Sequence, residues 1–321
     1  MSSNMSDVDT VKELGNKYDL LRSEVAKVIV GQEEVVDLLM LSIFCRGHSL
    51  LVGVPGLAKT LLVNTMAQAL GLSFNRIQFT PDLMPSDIIG AEILDESRNF
   101  RFVKGPLFAN IILADEINRT PPKTQSALLE AMQEKSVTAA GSTYKMADPF
   151  FVLATQNPIE QEGTYPLPEA QLDRFMFNIE VGYPSFEEEL QIVKATTGEA
   201  VKNVDTVLSH DEILKYQELI RKIPVPDQVY EYAVGLSSAT RPDSNRAQDV
   251  TREYIAWGAG PRASQYLILG AKAHAAMHGK YSPDKEDVLA IAKPVLRHRV
   301  VKNYKAEAEG ISVENIIEQL V

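Results

Sequence analysis

The stretch His48-Ser-Leu-Leu-Val-Gly-Val-Pro-Gly-Leu-Ala-Lys-Thr-Leu-Leu62 decides how the chain is read. Leu50 to Val52 is a short apolar run of buried-strand character. It breaks at Gly53, turns through Pro55 and Gly56, and restarts as a helix at about Lys59. Gly53, Lys59 and Thr60 take their places in the P-loop pattern G-x-x-x-x-G-K-[ST], with Gly56 as a second small residue in the loop. Ala58 stands where the pattern has glycine. Small residues let successive backbone N–H groups turn inward around phosphate oxygens. A helix N-terminus then faces the anion, a lysine reaches the β- and γ-phosphates, and a hydroxyl serves Mg²⁺. Ala58 still donates its N–H provided its φ stays negative, which is the expectation. A glycine-rich turn can be purely structural, but Lys-Thr in register after an apolar strand favours nucleotide binding.

A chain of 321 residues suffices for two domains and a sizeable core. A hydrophobic fraction of 45% and a charged fraction of 23% are those of an ordinary globular chain. The net charge of −11 argues against non-specific nucleic-acid binding, which needs clustered Lys and Arg to release counterions. Cys45 is the single cysteine, so an intrachain disulfide and a cysteine metal cluster are excluded; it reads as a small buried hydrophobe. Met1 to Thr10 is polar, without an apolar signal region, and no run approaches the roughly 18 apolar residues of a membrane span. A cytoplasmic protein is expected.

Residues 11 to 27 and 33 to 46 have helical periodicity, separated by Val28-Ile-Val-Gly-Gln32. That junction is either a plain turn or the place where an adenine ring lies against backbone and Val30. The helix after the loop ends at Gly71. Phe74-Asn-Arg-Ile-Gln-Phe79 alternates as a strand. Residues 91–104 form an inserted hairpin on an exposed loop, and residues 136–146 a second hairpin around Gly141-Ser142. Asn110-Ile-Ile-Leu-Ala-Asp-Glu116 suits a strand buried on both faces of a parallel sheet, with Asp115 and Glu116 emerging at its C-terminal end, where open α/β sheets place ligands. The pair reads either as a helix N-cap or as functional: Asp115 for Mg²⁺, Glu116 for polarising the attacking water. Pro149 to Thr155 is a further buried strand that puts Asn157 at the same sheet edge, as a turn cap or as a neutral amide orienting water or γ-phosphate. Phe175 to Val181 is the last strand. Composition shifts at Tyr183-Pro-Ser185, and helical segments follow at 186–196, 209–222, 226–240, 262–278 and 283–297. The expected architecture is an α/β core over residues 1–184, with a five-stranded parallel sheet and helices on both faces, and an all-helical lid over residues 185–321. Arg262 falls in the positive first turn of a lid helix, which hints at an external anion.

Together these residues resemble an AAA+ ATPase, and more narrowly the MoxR family. The resemblance runs from about Val30 to Arg299. It is carried by Gly53 to Thr60, Ala114-Asp-Glu-Ile-Asn-Arg119, Ala154-Thr-Gln-Asn-Pro158, Leu167-Pro-Glu-Ala-Gln-Leu-Asp-Arg-Phe175 and Gly260-Pro-Arg-Ala-Ser264. Ala58 in the loop is familiar in that family. The resemblance implies ATP and Mg²⁺ as cofactors. Val30, Gly53, Val54, Pro55, Gly56, Leu57, Ala58, Lys59, Thr60 and Leu61 would surround the nucleotide, and Thr60 and Asp115 the metal. Glu116 would be catalytic, Asn157 would be sensor 1 and Arg262 sensor 2. Arg174 would be an arginine finger reaching a neighbouring subunit's nucleotide, its alternative being a surface ion pair; Arg119 is a lesser candidate for that interface. The family further implies a hexameric ring, the two hairpins facing partners or the pore, and a chaperone-like role in maturing client protein complexes, often with von Willebrand A-domain partners.

Other features carry less. His274 and His278 share a helix face at metal-binding spacing but lack a third ligand in sequence. Trp257 is expected to pack under the helix at 262. Arg297-His298-Arg299 is a basic cluster, either solvated or a subunit or lid contact. Two other functions compete with a protein-remodelling ATPase: a nucleic-acid motor or loader, and a nucleotide-gated scaffold with little hydrolysis. The first needs basic hairpins, whereas Arg98, Arg101 and Lys104 stand beside Asp95 and Glu96. The second sits badly with the intact set Lys59, Asp115, Glu116, Asn157 and Arg174.

Overall fold

The computed structural model describes residues 6–94, 96, 98–160, 162–198 and 203–321. Asp95, expected in the first hairpin's turn, lies outside them. The chain forms two compact units. One comprises Asp19–Leu167 and Ile179–Leu214; the other comprises Met1–Tyr18, Pro168–Asn178 and Lys215–Val321. The units therefore divide elsewhere than at the compositional break at 184/185, and the helix that follows that break stays with the sheet.

In chain order the elements up to that helix are α1 (Asp7–Ala26), α2 (Glu33–Phe44), β1 (Ser49–Val52), α3 (Lys59–Ala69), β2 (Phe74–Gln78) and α4 (Pro85–Ile89). Then come β3 (Gly90–Leu94), β4 (Phe100–Lys104), β5 (Ile111–Asp115), α5 (Pro122–Glu134), β6 (Ser136–Ala139), β7 (Ser142–Lys145), β8 (Phe151–Gln156), α6 (Glu169–Leu172), β9 (Phe177–Glu180) and α7 (Phe186–Thr196). The five-stranded parallel sheet has the order β2-β5-β8-β1-β9. Ile111 to Ala114 and Phe151 to Thr155 are buried throughout, as central strands covered on both faces must be. Parallel pairing in register aligns Gln78 with Asp115 and Val52 with Gln156, so the polar strand ends gather at one edge. Leu70 closes α3, and Gly71 follows at φ +60°, the left-handed C′ conformation that glycine takes without a Cβ penalty. Both expected hairpins form, β3 with β4 and β6 with β7, as antiparallel pairs outside the main sheet.

His48 is buried ahead of β1. The Val152 N–H donates to its Nδ1 at 3.0 Å, so Nε2 carries the proton and donates to the Met132 carbonyl at 3.1 Å. Burial pushes its pKa down to about 4. As pH drops below the unfolded value near 6.5, the unfolded chain takes up a proton that the folded chain refuses, so stability falls and the loss is complete below the folded value. Between pH 6.5 and 5 this one group is expected to cost about 2 kcal/mol. Urea midpoints measured across that range should fall more steeply for the wild type than for His48→Gln, which keeps a donor and an acceptor but does not titrate. Parallel slopes would refute the assignment.

The other unit continues with α8 (His210–Lys222, shared between the units), α9 (Asp227–Ala239), α10 (Asp249–Tyr254), β10 (Ile255–Trp257), α11 (Pro261–Met277), α12 (Lys285–Leu296), β11 (Val301–Lys302), α13 (Tyr304–Ala308) and α14 (Val313–Leu320). Among its described residues it is mainly helical, with the start of β9 and the antiparallel pair β10–β11, which the periodicity did not announce. Helix α11 packs on α9 and α12. Gly270 allows the close approach, since a Cβ there would lie 2.4 Å from Ile291 Cδ1. Trp257 does not pack under α11. It stands on β10, where the pleat turns it outward, and is 72% exposed. His274 is an ordinary helix-face histidine paired with the buried Asp287 at 2.7 Å, and no group of three metal-ligating side chains occurs among the described residues. No helix among them is long and apolar enough to cross a membrane.

Candidate functional site

The loop from β1 to α3 is shaped by what it excludes. A Cβ at Gly53 would sit 2.8 Å from the Val181 carbonyl, whereas Gly56, at φ +87°, has open space above it. Ala58 departs from expectation: its φ is +53° and its ψ 25°, left-handed rather than negative. It caps α3, where the backbone must reverse to aim successive N–H groups into the loop, and the alanine accepts a conformation that costs a non-glycine residue about 1–2 kcal/mol. The loop conformation is thus that of the glycine form, carried by another residue. Lys59 Nζ donates to the Gly53 carbonyl at 2.5 Å. Burial draws its pKa down, against the opposite pull of Asp115 and Glu116.

This loop walls a cleft of about 380 Å³, lined further by Arg76, Asp115, Glu116, Thr155 and Asn157. Asp115, Glu116, Thr155 and Asn157 stand at the C-terminal ends of β5 and β8, and Arg76 reaches them from the middle of β2. Thr155 Oγ1 donates to Asp115 Oδ1 at 2.6 Å and accepts the Glu116 N–H at 2.9 Å. Arg76 places Nε and Nη2 on Asp115 Oδ2, at 3.0 and 2.7 Å. Glu116 Oε2 accepts from Gln78 Nε2 at 2.8 Å and from Arg119 Nη1 at 3.1 Å. The backbone of Glu116 is itself strained, at φ +58°. Asn157 is buried; its Oδ1 accepts the Ile159 N–H at 3.1 Å, while its Nδ2 has no hydrogen-bond partner among the described residues.

A second cavity of about 360 Å³ opens on the same loop. Val28 to Gln32, Leu61, Gly182 to Pro184 and the α7 residues Ile192, Val193 and Thr196 line it. Val30, whose role the sequence left open, is therefore at a cavity wall. Gln32 Nε2 ties that segment to the Leu57 carbonyl at 3.1 Å.

Lys59, Thr60, Asp115, Glu116 and Asn157 thus converge on one cleft, with Pro55 to Ala58 shared between the two cavities. Gly53 and Val54 shape the loop but line neither. Arg174 and Arg262 belong to the other compact unit. Arg262 Nη1 donates to Asp173 Oδ2 at 3.0 Å, and Arg174 forms no ion pair with a described residue. Arg119, the lesser candidate, is engaged with Glu116 of its own chain.

Sequence reasoning missed Arg76, Gln78 and Thr155. The signal was present: in the alternating strand Phe74 to Phe79, positions 76 and 78 share a face and come last before the sheet edge. The assembled groups fit a polyphosphate with a divalent cation. A lysine and helix-start N–H groups supply donors, an orphaned buried amide awaits an acceptor, and Thr60 and Asp115 offer hard oxygen ligands.

Residues 48–177 match the family described as ATPase family associated with various cellular activities (AAA), and residues 247–320 match the AAA lid domain. The chain is 46% identical over 299 residues to Chaperone MoxR1 of Mycobacterium tuberculosis, covering 93% of this chain and 79% of the relative. It is 41% identical over 299 residues to the uncharacterized protein YeaC of Bacillus subtilis, covering 92% and 91%. A crystal structure from Cytophaga hutchinsonii, described as that of a candidate ATPase, superposes with a TM-score of 0.91 at 46% identity, over 97% of this chain and 95% of that one.

Proposed function

The chain belongs to the MoxR family of AAA+ ATPases, and we propose that it hydrolyses ATP with Mg²⁺ as a hexameric ring, using turnover to mature client protein complexes. The observation that carries the reading is the convergence of Lys59, Thr60, Asp115, Glu116 and Asn157 on one cleft beside a second cavity sized for a base. In this reading Val30 and Leu61 hold the base, and Gly53 to Lys59 cradle the phosphates. Lys59 leaves the Gly53 carbonyl for the β- and γ-phosphates. Thr60 and Asp115 would hold the cation, which when bound would supply charge neutralisation to the phosphates. Asp115 would then exchange its Oδ2 contact with Arg76 for the cation. Glu116 takes the proton from the attacking water, and the free Nδ2 of Asn157 orients that water or the γ-phosphate. Arg262 senses the phosphates from the lid, and Arg174 reaches the nucleotide of the neighbouring subunit.

A protein client suits the exposed hairpin β3–β4, where Ile93, Leu94 and Phe100 present apolar surface and Phe100 is 74% exposed. A von Willebrand A-domain protein is the proposed partner class, the cytoplasm the proposed compartment. The net charge of −11 speaks against nucleic acid as the substrate of the motor.

Calorimetry tests the nucleotide site. Lys59→Ala is expected to weaken Mg·ATP binding about 10- to 100-fold, the equivalent of losing charge-assisted hydrogen bonds of about 1.5–3 kcal/mol. Wild-type affinity in the variant would overturn the cleft as the triphosphate site.

A further inference from the structure

The basic cluster Arg297-His298-Arg299 is not solvated. His298 and Arg299 are buried, and Arg297 donates to the Asn178 carbonyl at 3.1 Å. Arg299 is 6% exposed and uses every N–H of its guanidinium. Nε donates to Asp173 Oδ1 at 2.8 Å, and Nη2 to the carbonyls of Asp173 and Phe175 at 2.9 and 2.7 Å. Nη1 donates to the carbonyls of Met176 and Val295 at 3.3 and 2.5 Å. The cation also lies 5.2 Å from the centre of the Tyr266 ring, whose hydroxyl donates to the Arg174 carbonyl at 3.2 Å. The backbone on both sides of Arg174 is therefore held by one buried side chain, and the carbonyl of Arg174 by the tyrosine stacked on it. The Arg174 side chain has no ion pair of its own among the described residues.

We infer that Arg299 is a positioning residue for Arg174: its saturated fork fixes the Asp173–Met176 turn so that Arg174 projects in one geometry towards a second copy of the chain. The inference rests on reading Arg174 as an arginine finger. A buried charge is a poor device for stability alone, because an apolar replacement often does as well; its five directed bonds specify a backbone conformation that an apolar side chain does not. Lysine keeps the charge opposite Asp173, and with it the partner of Arg262, but lacks the planar fork.

The test uses the full-length protein and subunit mixing. Arg299→Lys should retain wild-type Mg·ATP affinity and lose turnover about 10²-fold, the usual cost of a misplaced catalytic group. Mixed in equal amounts with Glu116→Gln, itself inactive, it should regain about a quarter of the wild-type rate, because half the sites keep Glu116 and half of those meet an intact finger. The mixture of Arg174→Ala with Glu116→Gln is the control. If the control stays silent, the finger reading falls and the inference with it. If the control revives while the Arg299→Lys mixture does not, or if Arg299→Lys turns over at the wild-type rate, the inference alone is overturned. Tyr266→Phe, which removes the hydroxyl that donates to the Arg174 carbonyl and keeps the ring beside Arg299, should show a smaller, roughly 3- to 10-fold loss that the same mixing repairs. It stands in if circular dichroism shows Arg299→Lys to be unfolded, and wild-type turnover in it would then count against the inference.

Discussion

Arg174→Ala is expected to lower ATP turnover about 10³- to 10⁵-fold while leaving nucleotide affinity within a few fold. The expectation follows from where the residue sits. It belongs to the compact unit that does not contain the phosphate loop, and no ion pair to a described residue accounts for it. A guanidinium supplied in trans neutralises charge that develops only in the transition state, so its loss appears in kcat and not in binding. The same mechanism requires wild-type turnover per subunit to climb steeply with protein concentration as subunits associate. Turnover of Arg174→Ala within tenfold of the wild type would remove the finger from this position. Negligible wild-type turnover at every concentration would favour a nucleotide-gated scaffold instead.

Glu116→Gln should bind Mg·ATP as tightly as the wild type and lose about 10²- to 10⁴-fold in turnover, the range for a general base. Glutamine preserves the shape and can still accept from Gln78 and Arg119, so the loss isolates proton acceptance from packing. Because the variant holds ATP without consuming it, it should also trap client complexes, and proteins recovered with it but not with Lys59→Ala would identify the client. Wild-type phosphate release by Glu116→Gln would require another base in the cleft.

Much of the fold was legible because its signals are local. The apolar runs before Gly53, Asp115 and Gln156 are buried strands, the helices between them supply the crossovers that parallel strands need, and both hairpins lie where turn residues interrupt alternating segments. The less legible elements are short. Helices α10, α13 and α14 and the β10–β11 pair span two to eight residues each, too few for periodicity to register. Trp257 was misplaced for the same reason: a strand of three residues turned outward a side chain expected in the core.

The class of architecture, and which side chains stand at the ends of the central strands, could be read from residue type and spacing along the chain. Three features came only with the folded contacts. Ala58 takes the left-handed conformation that glycine would, because the loop must reverse there whichever residue occupies it. Arg76 and Gln78 join the carboxylates, because register between β2 and β5 sets them beside Asp115 and Glu116. Arg299 lies buried against Asp173, 126 residues away in the chain, because only folding brings five acceptors within reach of one guanidinium. Contacts of such separation leave no periodic trace in the chain; they exist once backbone polar groups from distant segments share one interior and must all be satisfied there.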